Sequence, residues 1–331
     1  MKRVVVFESL HPDGLAELRQ TCEVVVHLDT PRAQTLELVG HADAIVVRSV
    51  TQVDRELIDR SPDLRAIGRA GTGTDNIDLA YAKHRGIEVI TVPDGNAVSV
   101  AEFTVLQMLA LCRQAHAIAD AIKAGDFRRD RYQGCELSSQ TVGIIGMGRI
   151  GQLVAQRLRP FGCRLLGYDI NQALRPQCAE LGVAWADSLA ELLKAADMVT
   201  LHVPKTDATT GMIGRRELAL TKPGVRFINT SRGGIIVEAE LLKAVERGHV
   251  AGAAIDVLTN EPPFYAPPEA VSYSNPLLGH PKIVITPHCA ASTEEAQRAI
   301  ALQLVKVITG FLNARKQATP RTTTTASGKQ R

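Results

Sequence analysis

At 331 residues the chain has room for about two domains. Hydrophobic residues make up 45% and charged residues 22%, which excludes wholesale disorder, a collagen-like chain and a disulfide-stapled miniprotein. The formal charge is +3, from 38 basic and 35 acidic residues, too small an excess to argue for a nucleic-acid partner, which needs a basic stripe.

No stretch reaches the roughly 18 uninterrupted apolar residues of a membrane span, so no membrane partner is expected. Met1–Glu8 reads as a first buried strand. Its apolar run is too short for a signal peptide, and an acid, Glu8, closes it. Cys22, Cys112, Cys135, Cys163, Cys178 and Cys289 contain no C-x-x-C pair, so a reducing cytoplasm is the expected location and no metal site is expected.

In chain order, Val4–Phe7, Val24–His27, Ala44–Arg48, Leu64–Ala70 and Glu88–Val92 read as strands. Helical patterns lie between them at Gly14–Gln20, Asp54–Arg60 and Asp78–Arg85. A strand followed by a helix, repeated, predicts a parallel sheet with helices on both faces. Ser99 to about Lys123 then predicts one long helix without internal Gly or Pro, stopped at Gly125, with Ser99 and Glu102 as a capping box. A second series of strands follows at Thr141–Ile145, Arg164–Asp169, Met198–Val203, Val225–Asn229, Ala251–Val257 and Ile283–Thr286. Its helices are Ile150–Arg159, Leu189–Lys194, Arg215–Ala219 and Glu238–Arg247, and Ser292–Asn313 is a last amphipathic helix. Lys316–Arg331 has almost nothing to bury and is expected to be disordered. The fold class that follows is α/β, with two doubly wound parallel sheets.

Val142 to Gly151 is an apolar strand running into G-x-G-x-x-G. Gly146 allows the tight turn, Gly148 lets the backbone approach a pyrophosphate, and Gly151 lets the helix pack close to the sheet. The helix opening at Arg149 and Ile150 aims its free N–H groups and positive dipole end at the phosphates. Asp169 closes the next strand, 18 residues beyond Gly151. A carboxylate there accepts from ribose hydroxyls and repels a 2′-phosphate. Ile170 and Asn171 follow it rather than Arg, so the cofactor is expected to be NAD.

In an open α/β sheet, ligands lie outside the carboxyl ends of the strands. Three strand ends deliver polar groups there: Arg232 after Phe227–Asn229, Asp256 with Glu261 in the following loop, and His288 after Ile283–Thr286. Hydride exchange between an alcohol and NAD needs a base for the hydroxyl proton, and His suits that near neutral pH. A carboxylate should hold the imidazole's other N–H, as Glu261 can, and Arg232 offers a two-pronged grip on a carboxylate. The competing reading is ordinary polar residues capping strand ends. Cys289 is not expected to act as a nucleophile beside His288, since adjacent residues rarely point the same way, and His202 is expected along the cofactor edge.

With these residues in view, the chain resembles the D-isomer-specific 2-hydroxyacid dehydrogenase family, and within it the phosphoglycerate dehydrogenase branch. Four blocks carry the resemblance, in order: Gly68–Asp78, Gly146–Gly151, Asn229–Gly234 and Pro287–Gln297. It implies a Rossmann NAD domain, residues 98–289, inserted in a flavodoxin-like substrate domain formed by residues 1–97 and 290–315, with the active site in the cleft between them. It implies Arg232, Glu261 and His288 as the catalytic set. It places Gly146, Gly148, Arg149, Ile150, Gly151, Asp169, His202, Thr230, Arg232, Asp256 and His288 around NAD, with Asp256 toward the nicotinamide carboxamide. Thr72, Gly73 and Asn96 match substrate-loop positions. Arg48, Arg69 and Arg129 match arginines around a substrate phosphate, the last reaching from a partner subunit.

The reaction implied is NAD-dependent hydride transfer on a D-2-hydroxy acid or 2-keto acid, phosphoglycerate above all, in a homodimer or higher homo-oligomer. A glyoxylate or hydroxypyruvate reductase, or a dehydrogenase for another small 2-hydroxy acid, is the alternative enzyme, and an NAD-sensing transcriptional corepressor the alternative of another class. No regulatory domain is expected after residue 315. Pro262–Ser274 is longer than the connection common in the family, and its Phe264, Tyr265 and Tyr273 are candidates for a lid or a packed surface loop.

Overall fold

The computed structural model describes residues 1–28, 30–262, 269 and 271–314. Phe264, Tyr265 and the tail Lys316–Arg331 lie outside them. The chain divides into two compact units: Met1–Pro93 with the segment that begins at Gln297, and Asp94–Ala296.

The first unit is built on strands β1 (Lys2–Val6), β2 (Cys22–Val26), β3 (Ala44–Val47), β4 (Ala66–Arg69) and β5 (Glu88–Thr91). They form a parallel sheet in the order β2-β1-β3-β4-β5, the flavodoxin-like arrangement. The apolar runs need cover on both faces, and each face has its own core. One packs Val4, Val6, Ala44, Val46, Ala66 and Ile90 against Ile300, Ala301, Leu304, Val305 and Ile308 of the helix Glu294–Ala314. The other packs Val5, Ile45, Val47 and Ile67 against Leu57, Ile58 and Ala82 from the helices Arg55–Asp59 and Leu79–His84. Asp54 and Asp78 cap those helices, their carboxylates accepting from Leu57 N and Tyr81 N.

The second unit carries β6 (Thr141–Ile145), β7 (Arg164–Tyr168), β8 (Ala184–Trp185), β9 (Met198–Leu201), β10 (Val225–Asn229), β11 (Val250–Ile255) and β12 (Ile283–Ile285). The order β12-β11-β10-β9-β6-β7-β8, all parallel, is that of a Rossmann sheet with one further strand. Both predicted sheets therefore form. Direction reverses at β6, which pairs with β7 on one side and β9 on the other, so the switch point falls at the glycine-rich turn.

The predicted long helix is two helices, Ala97–Arg113 and Ala115–Lys123, with Gln114 between them in the left-handed region at φ 53°. A straight helix would give the Cys112 carbonyl to the N–H four residues on. Instead that carbonyl accepts from Cys135 N at 3.0 Å, and Gln114 Nε2 donates to Gln133 O at 3.1 Å. The capping box does not form either. The helix starts two residues earlier than Ser99, and Ser99 Oγ hydrogen-bonds Thr293 Oγ1 at 2.7 Å while Glu102 pairs with Arg157.

Candidate active site

The glycine-rich turn leaves a fully buried strand. Gly146 sits at φ 91°, and a Cβ there would lie 2.4 Å from His202 O, so only glycine fits. Gly151 is as constrained, since a Cβ would come within 2.1 Å of Gly146 O. Gly148 differs: nothing lies within 4 Å of its Cβ position, which leaves open space where the helix Arg149–Leu158 begins. Close packing behind and open space in front suit a pyrophosphate laid on the backbone N–H groups.

Asp169 stands beside this turn. Its Oδ2 accepts from Met147 N at 2.8 Å and its Oδ1 from Asn171 N at 2.8 Å. Two backbone bonds fix the carboxylate and leave acceptor capacity on both oxygens for hydroxyls. On the other side, His202 N donates to Ile145 O at 2.8 Å, and its Nε2 lies 3.0 Å from Thr200 Oγ1. Nδ1 of His202 is buried without a hydrogen-bond partner among the described residues, and burial pushes the ring down to about 3. Thr230 is buried, its Oγ1 2.9 Å from Thr104 Oγ1 in the helix Ala97–Arg113.

The three strand-end groups sit on interlocked loops. After β10, Asn229 Nδ2 donates to Arg232 O at 3.0 Å, and Asn229 Oδ1 accepts from Ser231 N and Oγ. Arg232 Nη1 donates to Ser231 O at 2.7 Å. A Cβ on Gly233 would lie 1.9 Å from Leu258 O, so this loop presses its bare backbone on the loop after β11. There Leu258 N donates to Glu261 Oε1 at 2.6 Å. Glu261 Oε2 in turn lies 2.8 Å from His288 Nδ1. His288 takes φ 50°, a left-handed conformation unusual outside glycine and seen at functional sites.

Asp256 holds that conformation. It is 2% exposed, and its carboxylate accepts from Thr286 Oγ1 at 2.5 Å, Cys289 N at 3.0 Å and Ala290 N at 2.9 Å. Its backbone carbonyl takes His288 N at 2.8 Å. Burial raises its pKa above the ordinary aspartate value, against the opposing pull of the Thr286, Ala290 and Cys289 bonds. Asp256 is therefore the internal buttress of the His288 turn, a role that the sequence did not signal.

Arg48 follows β3 directly and Arg69 ends β4, where Val47 and Arg69 are paired. Arg69 folds back over Gly71, which at φ 144° has no room for a Cβ beside the guanidinium. Thr72 Oγ1 reaches Pro93 O at 3.2 Å. Gly73 lies in the same loop, between β4 and the helix Leu79–His84. In the second unit, Asn96 precedes the helix Ala97–Arg113, and its Oδ1 is buried without a partner among the described residues. Arg129 is exposed, beside Arg128 and Arg131, which both pair with Asp126. Tyr273, the described aromatic of the 262–274 stretch, donates from its hydroxyl to Thr259 O at 2.7 Å.

Residues 105–290 match the family described as D-isomer specific 2-hydroxyacid dehydrogenase, NAD binding domain. The chain belongs to the D-isomer-specific 2-hydroxyacid dehydrogenases. It is 41% identical over 317 residues to the D-3-phosphoglycerate dehydrogenase of Methanocaldococcus jannaschii, covering 94% of this chain and 58% of that one. Identity to the D-3-phosphoglycerate dehydrogenase of Bacillus subtilis is 39% over 311 residues, covering 94% and 57%. The chain thus spans under two thirds of the length of these relatives. The crystal structure of D-lactate dehydrogenase from Aquifex aeolicus, complexed with NAD and lactic acid, superposes with a TM-score of 0.85 at 30% identity, covering 96% of this chain and 97% of that one. In this dehydrogenase fold, Gly146–Gly151, Asp169, Arg232, Glu261 and His288 all belong to the second unit.

Proposed function

We propose that the chain is an NAD-dependent oxidoreductase exchanging hydride between a D-2-hydroxy acid and its 2-keto acid, with 3-phosphoglycerate as the preferred substrate. The observation that carries the reading is the imidazole–carboxylate pair of His288 and Glu261 on the same sheet edge as Arg232 and the glycine-rich turn. Bound NAD would supply the hydride acceptor for oxidation and the donor for reduction. The backbone of Gly146–Gly151 would hold its pyrophosphate, and Asp169 would take the ribose hydroxyls and turn away a 2′-phosphate. Glu261 holds Nδ1 of His288, and Nε2 is the atom proposed to receive the hydroxyl proton during oxidation and give it back during reduction. Arg232 polarises the carbonyl and grips the adjoining carboxylate.

In the first unit, Arg48, Arg69, Thr72 and Gly73 are the proposed substrate contacts, with Asn96 from the second unit and Arg129 reaching in from a partner subunit. The names of the two sequence relatives support the phosphorylated substrate. So do two arginines on neighbouring strand ends. The active form is a homodimer or higher homo-oligomer, a reading supported by the exposed apolar residues Val98, Leu106, Ile122 and Phe127 along and just after the two consecutive helices. Six free cysteines support a cytoplasmic, reducing setting.

The test is NADH absorbance with 3-phosphoglycerate, glycerate, lactate, glyoxylate and hydroxypyruvate. The reading expects the highest kcat/KM with 3-phosphoglycerate and its keto acid. Equal turnover of glyoxylate, with no loss in Arg48→Ala, replaces it with a reductase of small keto acids. NADH binding without turnover on the whole panel replaces it with a sensing role.

A further inference from the structure

In a sheet of order β2-β1-β3-β4-β5, the order in which strands are added reverses between β1 and β3, and such folds bind ligands outside the strand ends at that point. Here a carboxylate of the chain itself sits at those strand ends. Glu8 follows β1 and is 5% exposed. Its Oε1 accepts from Arg48 N at 2.8 Å and Thr51 N at 3.0 Å. Its Oε2 accepts from Ser49 N at 3.1 Å, and Val50 N lies 3.3 and 3.2 Å from the two oxygens. Four successive N–H groups converging on one point form an anion-binding nest, and the anion is the protein's own carboxylate. Asn76, 6% exposed, clamps the loop from its acceptor side, with Nδ2 donating to Arg48 O at 3.1 Å and Thr51 O at 2.7 Å. Both backbone polar groups of Arg48 are thereby fixed by buried side chains.

We propose that Glu8 is a positioning residue for substrate binding: it locks the Arg48–Thr51 backbone so that the Arg48 guanidinium is presented to the anionic group of the substrate. This rests on the reading of Arg48 as a substrate contact. The carboxylate is required rather than a neutral isostere. An amide at position 8 turns one NH2 toward the ring of N–H donors, so half of the nest meets a donor instead of an acceptor. Charge-assisted bonds to backbone N–H groups are also about twice as strong as neutral ones.

The experiment compares full-length wild type with Glu8→Gln, Glu8→Asp, Asn76→Ala, Arg48→Ala and the Glu8→Gln/Arg48→Ala double variant. It reads KM and kcat for 3-phosphoglycerate, KM for NAD, and amide hydrogen exchange at residues 48–51. Glu8→Gln is expected to raise KM for 3-phosphoglycerate about tenfold, with kcat within about twofold and KM for NAD unchanged. The 48–51 amides are expected to exchange faster, Glu8→Asp to recover part of the affinity, and the double variant to be no worse than Arg48→Ala alone. If Glu8→Gln does not accumulate as folded protein, Asn76→Ala carries the test, with the same KM and exchange changes expected. An unchanged KM with faster amide exchange, or a Glu8→Gln effect that adds fully to Arg48→Ala, overturns the positioning role. An unchanged KM in Arg48→Ala overturns the substrate reading beneath it, and the proposal with it.

Discussion

His288 Nδ1 and Glu261 Oε2 lie 2.8 Å apart, and the other oxygen of Glu261 is held by Leu258 N at 2.6 Å. The carboxylate is thus pinned at one end and orients the imidazole with the other. His288→Ala is expected to lower kcat by about 10²- to 10⁴-fold, the usual contribution of a positioned acid–base group. Glu261→Gln should lose about 10- to 100-fold, and the double variant should fall little below His288→Ala, because the two residues act as a unit. Initial rates of NADH formation or consumption check this, and additive losses would separate the two residues.

Asp169 anchors the turn, and the same carboxylate is the proposed selector of the cofactor. Asp169→Asn keeps an acceptor for Met147 N–H and removes the charge. The expected outcome is a drop of about tenfold or more in the preference for NAD over NADP, with the thermal midpoint within a few degrees of wild type. Steady-state kinetics with both cofactors, beside a melting curve, measure it.

The glycines of the turn separate stability from binding. Gly151→Ala places a methyl group 2.1 Å from a backbone oxygen, so an overpacking cost of about 1–3 kcal/mol is expected in urea unfolding. Gly148→Ala meets nothing within 4 Å in the protein and should fold normally, yet raise KM for NAD, since the added methyl group takes the space in front of the turn.

His202 gives the fold a defined acid sensitivity. The ring is held down to about 3 by burial, against 6.5 when unperturbed. Between those two values the unfolded chain binds a proton at this site that the folded chain refuses. Stability therefore falls as pH drops through this window, by up to about 1.4 kcal/mol per pH unit, and the site contributes nothing above it. Urea unfolding of wild type and His202→Gln at pH 7.5, 6, 5 and 4 should show the flatter profile in the variant.

The strands of both sheets, except the two-residue edge strand β8 (Ala184–Trp185), and the glycine-rich turn were legible in the sequence because buried parallel strands are short apolar runs and the turn demands glycine at fixed offsets. So was the placement of Arg232, Glu261 and His288 past strand ends, each following such a run. The break at Gln114 was not, because its cause is a carbonyl captured by Cys135, 23 residues beyond Cys112 along the chain. Ser99 and Glu102 carry a capping-box spelling, yet both find tertiary partners that outcompete the local bonds. Glu8 had a visible signal, an acid closing an apolar strand. Its meaning depended on which loop the topology brings to it, and periodicity does not report that.

The helix Glu294–Ala314 completes a sheet whose strands lie in the first 93 residues. During synthesis those strands emerge before that helix, with one apolar face covered only in part by Leu10, Leu15 and Leu18, while roughly 200 further residues are translated, about 10–40 s at ordinary elongation rates. The inserted unit, continuous along the chain, can settle in that interval. The sheet of the first unit can therefore complete its packing only after that distant helix has been made.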